Sequence, residues 1–434
     1  MVAIAPFRAL RYNPNLVRSL SLVVAPPYDV ISPEEQNRLY DASPYNVVRL
    51  IYGKQDPADS PTDNRYTRAK QAFDHWCNTR VLVRDETPAI YLYEHTFHWQ
   101  GTPRRRLGFV ALLEFAGSVP DQVFCHEATF EEPKRDRARL LDAVRANLSP
   151  IFCLYRDPNS TIHAFLKQLS QNRSPLATVH LPAPPFWGGP KEDMTAKRAG
   201  RDEEVRMWSI TDPDLIRELQ HAVEPVSVLV ADGHHRFEVA LSRRHLCQAV
   251  MSYFSWLEDP AVMALPIHRV VQVTQEAKAA WPSRLQALCT LTPVASLDSL
   301  IQWLVKTEGH GQFGYYEADR CYQARLHQDV LAHWLMQPSV PLALAGLDIT
   351  ILHEVLVPQL LGPGPGTNHL FRYTPEPSQA ITMVDRQLGD CAWLLRVIPL
   401  AQVFALASQG LMLPQKSTYF YPKLLSGLFI NPFN

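Results

Sequence analysis

A short segment in the middle of the chain constrains the fold most strongly. Residues 226–244 have the sequence VSVLVADGHHRFEVALSRR. The β-branched, apolar run that ends at Asp232 is typical of a strand buried on both faces. Gly233 permits a sharp turn, and apolar residues then recur at helical spacing. The segment therefore predicts a strand, a tight turn and a helix that packs back on the sheet to which the strand belongs.

The predicted turn has the properties of a phosphate-binding site. The first turn of a helix directs N–H groups and the positive end of its dipole outward, and Arg236 can add a bidentate contact. We therefore predict that Asp232, Gly233, His234, His235 and Arg236 bind phosphate, and His235 is also a catalytic candidate. The structural alternative is that Asp232 only caps the helix and the histidines lie on the surface.

A metal site built from the same residues is less straightforward. Adjacent helical residues point about 100° apart, so binding of one ion by both His234 and His235 would be strained. Asp232 and one histidine on a magnesium-bridged nucleotide is the easier arrangement, and the sequence assigns no metal site of its own.

A second candidate element lies upstream, in VFCHEATFEEPKRDR (residues 123–137). It places His126, Glu127 and Thr129 at the entry to a helix that Pro133 is predicted to begin. A carboxylate near a phosphate-binding turn can act as the general base for a hydroxyl, so Glu127 is a predicted catalytic residue. The alternative is that Glu127 only caps the approach to the helix.

Composition excludes several functional classes. The 434 residues carry a formal net charge of −1, which gives no broad attraction to nucleic acid or anionic membranes. The seven cysteines form no C-x-x-C pair, so neither a zinc ribbon nor a disulfide framework is indicated. No apolar run approaches the ~18 residues of a membrane span. Walker and G-x-S-x-G motifs are absent, and the His353-Glu354 pair lacks the second histidine of a zinc protease. We expect a cytoplasmic protein.

Proline, glycine and charge mark a three-part organisation. The predicted regions are an N-terminal region (1–87), a core (88–280) with a Pro/Gly-rich insertion near 170–204, and a C-terminal α+β region (281–434). Within the core, the apolar runs 89–99 and 104–115 predict a hairpin. In the last region, GPGPGTN (362–368) predicts a turn or short linker.

The strand–turn–helix with DGHHR resembles the ParB and sulfiredoxin nucleotide-binding superfamily, and most of all its free serine kinases. In those kinases a His-Glu-x-Thr segment precedes the DGHHR unit, as His126, Glu127 and Thr129 do here. The resemblance implies that Glu127 is the base on a serine-like hydroxyl and that residues 232–236 hold nucleotide phosphates. The roughly 75 residues between Ser149 and Val226 exceed the compact spacing of those kinases.

Over its whole length the chain is identified as a member of a widespread prokaryotic family of unknown function. The motifs that carry this resemblance are APPYDVIS (25–32), SPYNVVRLI (43–51), HEAT (126–129), LSPIFCLY (148–155), ADGHHRFE (231–238), LPIHRVV (265–271) and PQKSTYFYPKLLSGL (414–428).

Two of these motifs supply further candidates. In PQKSTYFYPK, Lys416 is predicted to reach an anionic group, although the segment is equally explained as a tail docked by its aromatic residues. In LPIHRVV, His268 and Arg269 sit in an apolar strand, and at least one of them is expected to face the site. Together with His126 and Thr129, these residues are the predicted substrate-binding set.

The sequence thus predicts an α/β (α+β) protein with a ParB/sulfiredoxin-like nucleotide-binding core and flanking N- and C-terminal α+β regions. The predicted function is phosphoryl transfer between ATP or ADP with Mg²⁺ and a small hydroxylated metabolite, serine or O-phosphoserine. The alternatives are a ParB-like protein that binds and hydrolyses nucleotide, a phosphatase, and a non-catalytic sensor. The expected partners are a nucleotide and a small molecule, with neither membrane nor nucleic acid, and no oligomeric state is predicted.

Overall fold

A computed structural model describes residues 1–115, 121–181, 203–336, 340–362 and 370–433. The chain forms two compact units. Unit 1 comprises Met1–Cys125, Thr129–Met263 and Phe420–Asn434, and unit 2 comprises His126–Ala128 and Ala264–Tyr419. These units do not coincide with the three predicted regions, and that division stays a prediction about which segments fold independently.

The strands and helices follow one another in a mixed order. Those up to residue 155 are β1 (Ile4–Ala5), β2 (Leu10–Tyr12), α1 (Pro33–Ala42), α2 (Val48–Ile51), α3 (Arg65–Asn78), β3 (Leu82–Arg84), β4 (Ile90–Trp99), β5 (Thr102–Glu114), β6 (Val123–Cys125), α4 (Glu131–Val144), β7 (Ala146–Asn147) and β8 (Ile151–Tyr155). Those up to residue 271 are α5 (Thr161–Gln171), β9 (Ala177–Leu181), β10 (Glu203–Ile210), α6 (Pro213–Val223), β11 (Val228–Asp232), α7 (His234–Ser242), β12 (Ala249–Trp256), β13 (Met263–Pro266) and β14 (His268–Val271).

The remaining elements are α8 (Gln275–Lys278), α9 (Trp281–Leu288), β15 (Cys289–Val294), α10 (Leu297–Lys306), β16 (Gln312–Glu317), β17 (Arg320–Leu326), α11 (Gln328–Leu335), α12 (Leu342–Ala345), α13 (Asp348–Ile351), a π-helical turn (Leu352–Leu356), α14 (Val357–Leu361), β18 (Phe371–Thr374), α15 (Pro377–Asp385), β19 (Cys391–Leu394), α16 (Leu400–Ser408), β20 (Thr418–Tyr421) and β21 (Asn431–Pro432). The predicted mixed α/β fold class is confirmed.

Unit 1 is built on a large mixed sheet with the strand order β6-β11-β8-β12-β5-β4-β10-β9, to which β1 is added by pairing with β5. The predicted hairpin is confirmed as β4 and β5, which pair antiparallel from Tyr91 with Val110 to Trp99 with Thr102. Gln100 and Gly101 both have positive φ, the conformation that two-residue hairpin turns favour. One face of the sheet packs on apolar residues of α5, α6 and α7, which places α7 where the sequence predicts it.

The N-terminal part of unit 1 has a second apolar core, and it depends on the motif SPYN. Asn46 is fully buried. Its side chain donates to the carbonyls of Leu22 (2.9 Å) and Val24 (3.0 Å) and accepts from the N–H of Val48 (2.9 Å). Asn46 therefore fixes the backbone that leads into the APPYD loop.

Helix α4 differs from its predicted bounds. It begins at Glu131, two residues before Pro133, and ends at Val144, before the predicted stop at Asn147. Proline is tolerated anywhere in the first helical turn, because the N–H groups there have no intrahelical acceptor. Arg145 then adopts a left-handed conformation with φ 55° and closes the helix.

Unit 2 contains a six-stranded sheet with the order β15-β17-β16-β19-β14-β18. The predicted strand 264–271 is interrupted at Ile267 and forms β13 and β14. Of the predicted insertion near 170–204, residues 177–181 form β9, whereas 182–202 lie outside the described residues, as does most of the predicted linker 362–368. Within the described ranges, no helix is long and apolar enough to cross a bilayer.

The role of Asn46 can be tested by its replacement with alanine. Asn46→Ala removes three buried hydrogen bonds at about 1 kcal/mol each, so we expect the free energy of unfolding to fall by about 3 kcal/mol in urea titrations. The exposed Asn172, at the end of α5, is the control, and its alanine variant should lose less than about 0.5 kcal/mol. Equal losses in the two variants would contradict the role assigned to Asn46.

Candidate functional site

The DGHHR turn of unit 1 has an irregular backbone. Strand β11 pairs parallel with β6 and antiparallel with β8, and a bulge interrupts the second pairing between Val230 and Asp232. Gly233 follows with φ +91° and is the N-cap of α7, where no side chain caps the helix. Bulges are common beside functional sites, because they redirect a side chain. The structural alternative in which Asp232 caps the helix is therefore not what the structure shows.

The carboxylate of Asp232 is paired with a lysine instead. Lys423 Nζ lies 2.5 Å from Asp232 Oδ1, and the two side chains are only 6 % and 17 % exposed. Burial raises the pKa of Asp232, but the charges of Lys423 and Arg236 and the hydrogen bond from Lys423 outweigh it and hold the pKa at about 2. Asp232 is thus ionised at any physiological pH, and its charge is balanced from the C-terminal segment of unit 1.

Arg236 is fixed beside the same carboxylate. Its Nη1 donates to the carbonyl of Pro150 (2.7 Å), and Nη2 lies 3.5 Å from Asp232 Oδ2. A Cβ at position 233 would lie 2.9 Å from Arg236 Nη2, so the absence of a side chain at Gly233 allows the guanidinium to fold back over the turn. Asp232, Arg236 and Lys423 together carry one net positive charge at the start of α7.

The side chain of His235 is engaged from the loop before α4. The backbone N–H of Phe130 donates to His235 Nε2 (3.0 Å), and the two rings are stacked at 9° with centroids 6.3 Å apart. Because an N–H can only donate, Nε2 is the unprotonated ring nitrogen, and proton transfer by His235 would use Nδ1. The neighbouring Thr129 donates to Glu238 Oε2 (2.7 Å).

The APPYD loop also reaches the turn. The guanidinium of Arg137 lies 3.8 Å from the ring centroid of Tyr28. Burial raises the pKa of Tyr28 to about 12, against the lowering effect of the positive charges of Arg137 and Arg236. Tyr28 is thus close enough to Arg236 to sense its charge. The sequence placed Tyr28 on a loop of fixed direction but did not connect it with DGHHR.

The other predicted residues form a second group within unit 2, centred on Glu127. Its Oε1 accepts from the backbone N–H groups of Ser417 and Thr418 and from the Thr418 hydroxyl, each at 3.0 Å. His126 is fully buried, and its Nε2 lies 2.9 Å from Thr418 Oγ1. Three hydrogen bonds use the lone pairs of Oε1, so any proton transfer by Glu127 would use Oε2.

Arg269 holds the preceding part of the same segment. It is fully buried, and its Nη2 donates to the carbonyls of Gln415 (3.2 Å) and Lys416 (2.9 Å), while its Nε donates to His353 Nε2 (3.1 Å). Burial lowers the pKa of Arg269 to about 10, against the raising effect of Tyr373 and Glu127. The guanidinium therefore remains charged at neutral pH and binds main-chain atoms.

The two histidines in this group are neutral. Burial first, and then the charge of Arg269, lower the pKa values of His268 and His353 to about 3. His268 Nδ1 accepts from the N–H of Leu395 (3.1 Å). His353 lies in the π-helical turn; the sequence suggested only an incomplete zinc motif here, and its contact with Arg269 was missed.

The structure therefore brings the candidates together in two groups. Unit 1 holds Thr129 and the turn 232–236, joined by Lys423, which the sequence placed in PQKSTYFYPK without assigning it a role. Unit 2 holds His126, Glu127, His268, Arg269 and Lys416. Among the residues that the structure describes, no three His, Cys, Asp or Glu side chains are grouped so that they could hold a metal ion.

The sequence matches the family described as "Protein of unknown function (DUF1015)" over residues 4–183 and 189–350. The chain belongs to this family. No curated protein matches this DUF1015 chain.

Several solved structures are weakly similar to the DUF1015 chain. A conserved hypothetical protein from Pyrococcus furiosus is 10 % identical, with a TM-score of 0.33 over 70 % of this chain and 89 % of that one. A free serine kinase in complex with AMP is 10 % identical, with a TM-score of 0.34 over 72 % and 87 %. SbnI from Staphylococcus aureus, truncated at its C-terminus, is 12 % identical, with a TM-score of 0.33 over 73 % and 85 %. Similarity at this level carries no argument about the site.

The close packing of the turn predicts a specific cost for a side chain at Gly233. Gly233→Ala introduces a non-glycine residue at positive φ, at roughly 1–2 kcal/mol, and also displaces the Arg236 guanidinium. Gly101→Ala is the matched control, because Gly101 has φ +75° but nothing within 4 Å of the added Cβ. In urea titrations of this DUF1015 protein, we expect Gly233→Ala to lose more unfolding free energy than Gly101→Ala. Equal losses would show that Arg236 is not held over the turn.

Proposed function

We propose that the turn 232–236 binds the phosphates of a nucleotide. The observation that carries the proposal is the convergence of Arg236 and Lys423 on the first turn of α7, where they outnumber the single carboxylate of Asp232. Helix N-termini and fixed guanidinium groups both favour anions. The bulge and the positive φ of Gly233 aim the start of α7 at this position.

We further propose that the protein transfers a phosphoryl group between ATP or ADP and a small hydroxylated metabolite. Such transfer is catalysed mainly by positioning and charge neutralisation, which fixed cations supply. Serine or O-phosphoserine is the proposed acceptor or donor because the HEAT and DGHHR motifs resemble those of free serine kinases. Magnesium bound to nucleotide commonly keeps one or two protein carboxylates, and Asp232, ionised and beside the turn, is the residue that fits this role.

Glu127 remains the proposed general base, with Oε2 as the atom that takes the hydroxyl proton. This role stays a prediction from the sequence, since Oε1 also anchors the backbone at Ser417 and Thr418. His235 stays the second catalytic candidate, through Nδ1. A cytoplasmic location is part of the proposal, because the seven cysteines are free thiols, as expected in a reducing compartment.

Phosphate binding is tested by calorimetric titration of ATP and ADP, with magnesium, into wild type and Arg236→Ala. We expect the variant to bind about 10- to 100-fold more weakly, because it loses a charge-assisted contact. Arg243→Ala is the matched control: Arg243 follows the same helix and pairs with Asp142 (2.6 Å). If the two variants bind as tightly as each other, the turn is not the phosphate site.

Two substitutions separate the base from the anchor at Glu127. Gln keeps an oxygen that accepts from Ser417 and Thr418 but cannot take a proton, whereas Ala removes both functions. For a general base, Glu127→Gln should reduce phosphoryl transfer to or from serine by about 10²- to 10⁴-fold with nucleotide affinity nearly unchanged. Turnover is followed by ³¹P NMR. A Gln variant as active as wild type, with an inactive Ala variant, would make Glu127 an anchor only.

The same assays distinguish the alternative functions. Stimulation of nucleotide hydrolysis by DNA, without phosphoryl transfer to serine, would favour a ParB-like binding protein. Release of phosphate from O-phosphoserine without any nucleotide would favour a phosphatase.

A further inference from the structure

The position of Lys423 is set by a buried polar network in unit 1. Arg106, fully buried on β5, donates from Nη2 to the carbonyl of Pro422 (2.9 Å) and from Nη1 to that of Tyr421 (3.4 Å). The Tyr421 hydroxyl donates to Glu203 Oε1 (3.1 Å). Both peptide carbonyls immediately before Lys423 are therefore tied to the central sheet.

The network continues behind Glu203. Its Oε2 lies 2.9 Å from His95 Nε2, and both side chains are almost completely buried. Burial lowers the pKa of His95 despite the raising effect of the Glu203 carboxylate. A neutral His95 donates one N–H to Glu203 and adds no charge, which leaves Arg106 and Glu203 as the charged members of the network.

This anchoring suggests more than the balancing of one carboxylate. Ordering a lysine side chain costs conformational entropy, and a charge that only neutralises Asp232 could come from Arg236, which already lies 3.5 Å away. An ammonium group has three donors, so contact with Asp232 leaves Lys423 able to bind a second anion. Its Nζ is held at the carboxylate that precedes the start of α7.

We infer that Lys423 is a phosphate-binding residue of the turn and that the Arg106–Glu203 network is what positions it. The inference rests on the proposed function and assigns to Lys423 the role that the sequence predicted for Lys416. Lys423 contacts phosphate oxygens of the bound nucleotide while Asp232 orients its ammonium group. Arg106 and Glu203 are positioning residues, since they act only through the backbone and the side chain of Tyr421.

The test is a double-mutant cycle on MgATP affinity, measured by calorimetry with the full-length protein. Lys423→Met should weaken binding about 10- to 100-fold, the range of a charge-assisted contact. Lys167→Met, which removes an exposed lysine on α5, should stay within about 2-fold of wild type. The decisive comparison is Asp232→Asn with the double variant Asp232→Asn/Lys423→Met, in which both charges are gone and no buried charge is left unpaired. The double variant should bind about 10-fold or more weakly than Asp232→Asn, with a similar thermal unfolding midpoint.

Each outcome decides between two explanations. If Lys423 only neutralises Asp232, its removal has no effect once Asp232 is Asn, and equal affinities of Asp232→Asn and the double variant overturn the inference. In that case phosphate binding would still be shown by the weakened Arg236→Ala variant. If wild type itself binds no MgATP, the proposed function fails, and this inference fails with it.

Discussion

An ion pair between residues 191 positions apart closes the DGHHR turn of unit 1. Lys423 and Asp232 are both largely buried, and loss of one partner of such a pair typically costs about 3–5 kcal/mol, because the other charge is left uncompensated. The conformation of the turn, the orientation of Arg236 and the ionised state of Asp232 all depend on this contact. The bulge in β11 and the positive φ of Gly233 supply the backbone shape, but the electrostatic balance comes from elsewhere in the chain.

A second arrangement of charges organises unit 2. Arg269 binds the carbonyls of residues 415 and 416, and Glu127 binds the N–H groups of residues 417 and 418. A cation on carbonyls and an anion on N–H groups together satisfy four consecutive peptide units of a segment that has no regular structure at residues 415–417. Three sequence motifs, HEAT, LPIHRVV and PQKST, are thereby explained as parts of one structural unit.

Much of the local structure followed from the sequence. The hairpin of β4 and β5 and the β11–turn–α7 unit were predicted, because alternation, helical spacing and glycine act over a few residues. The residues of the turn were grouped for the same reason. Lys423 was not assigned to Asp232, since no local pattern reports a contact across 191 residues. Arg269 was expected near a ligand, yet it is fully buried among main-chain carbonyls, because the segment that surrounds it comes from distant sequence.

The last residues of unit 1 have a consequence for how the protein is made. Ile430 exchanges both backbone hydrogen bonds with Leu10, and β21 pairs with β7. Arg106, Asp232 and Leu10 thus all wait for partners that lie between residues 421 and 430. During translation the central sheet emerges from the ribosome long before these partners do, with Arg106 and Asp232 still uncompensated. The sheet is therefore most exposed to misfolding and to chaperone binding in the interval before the final segment is released, and the order of synthesis sets the turn 232–236 among the last features to form.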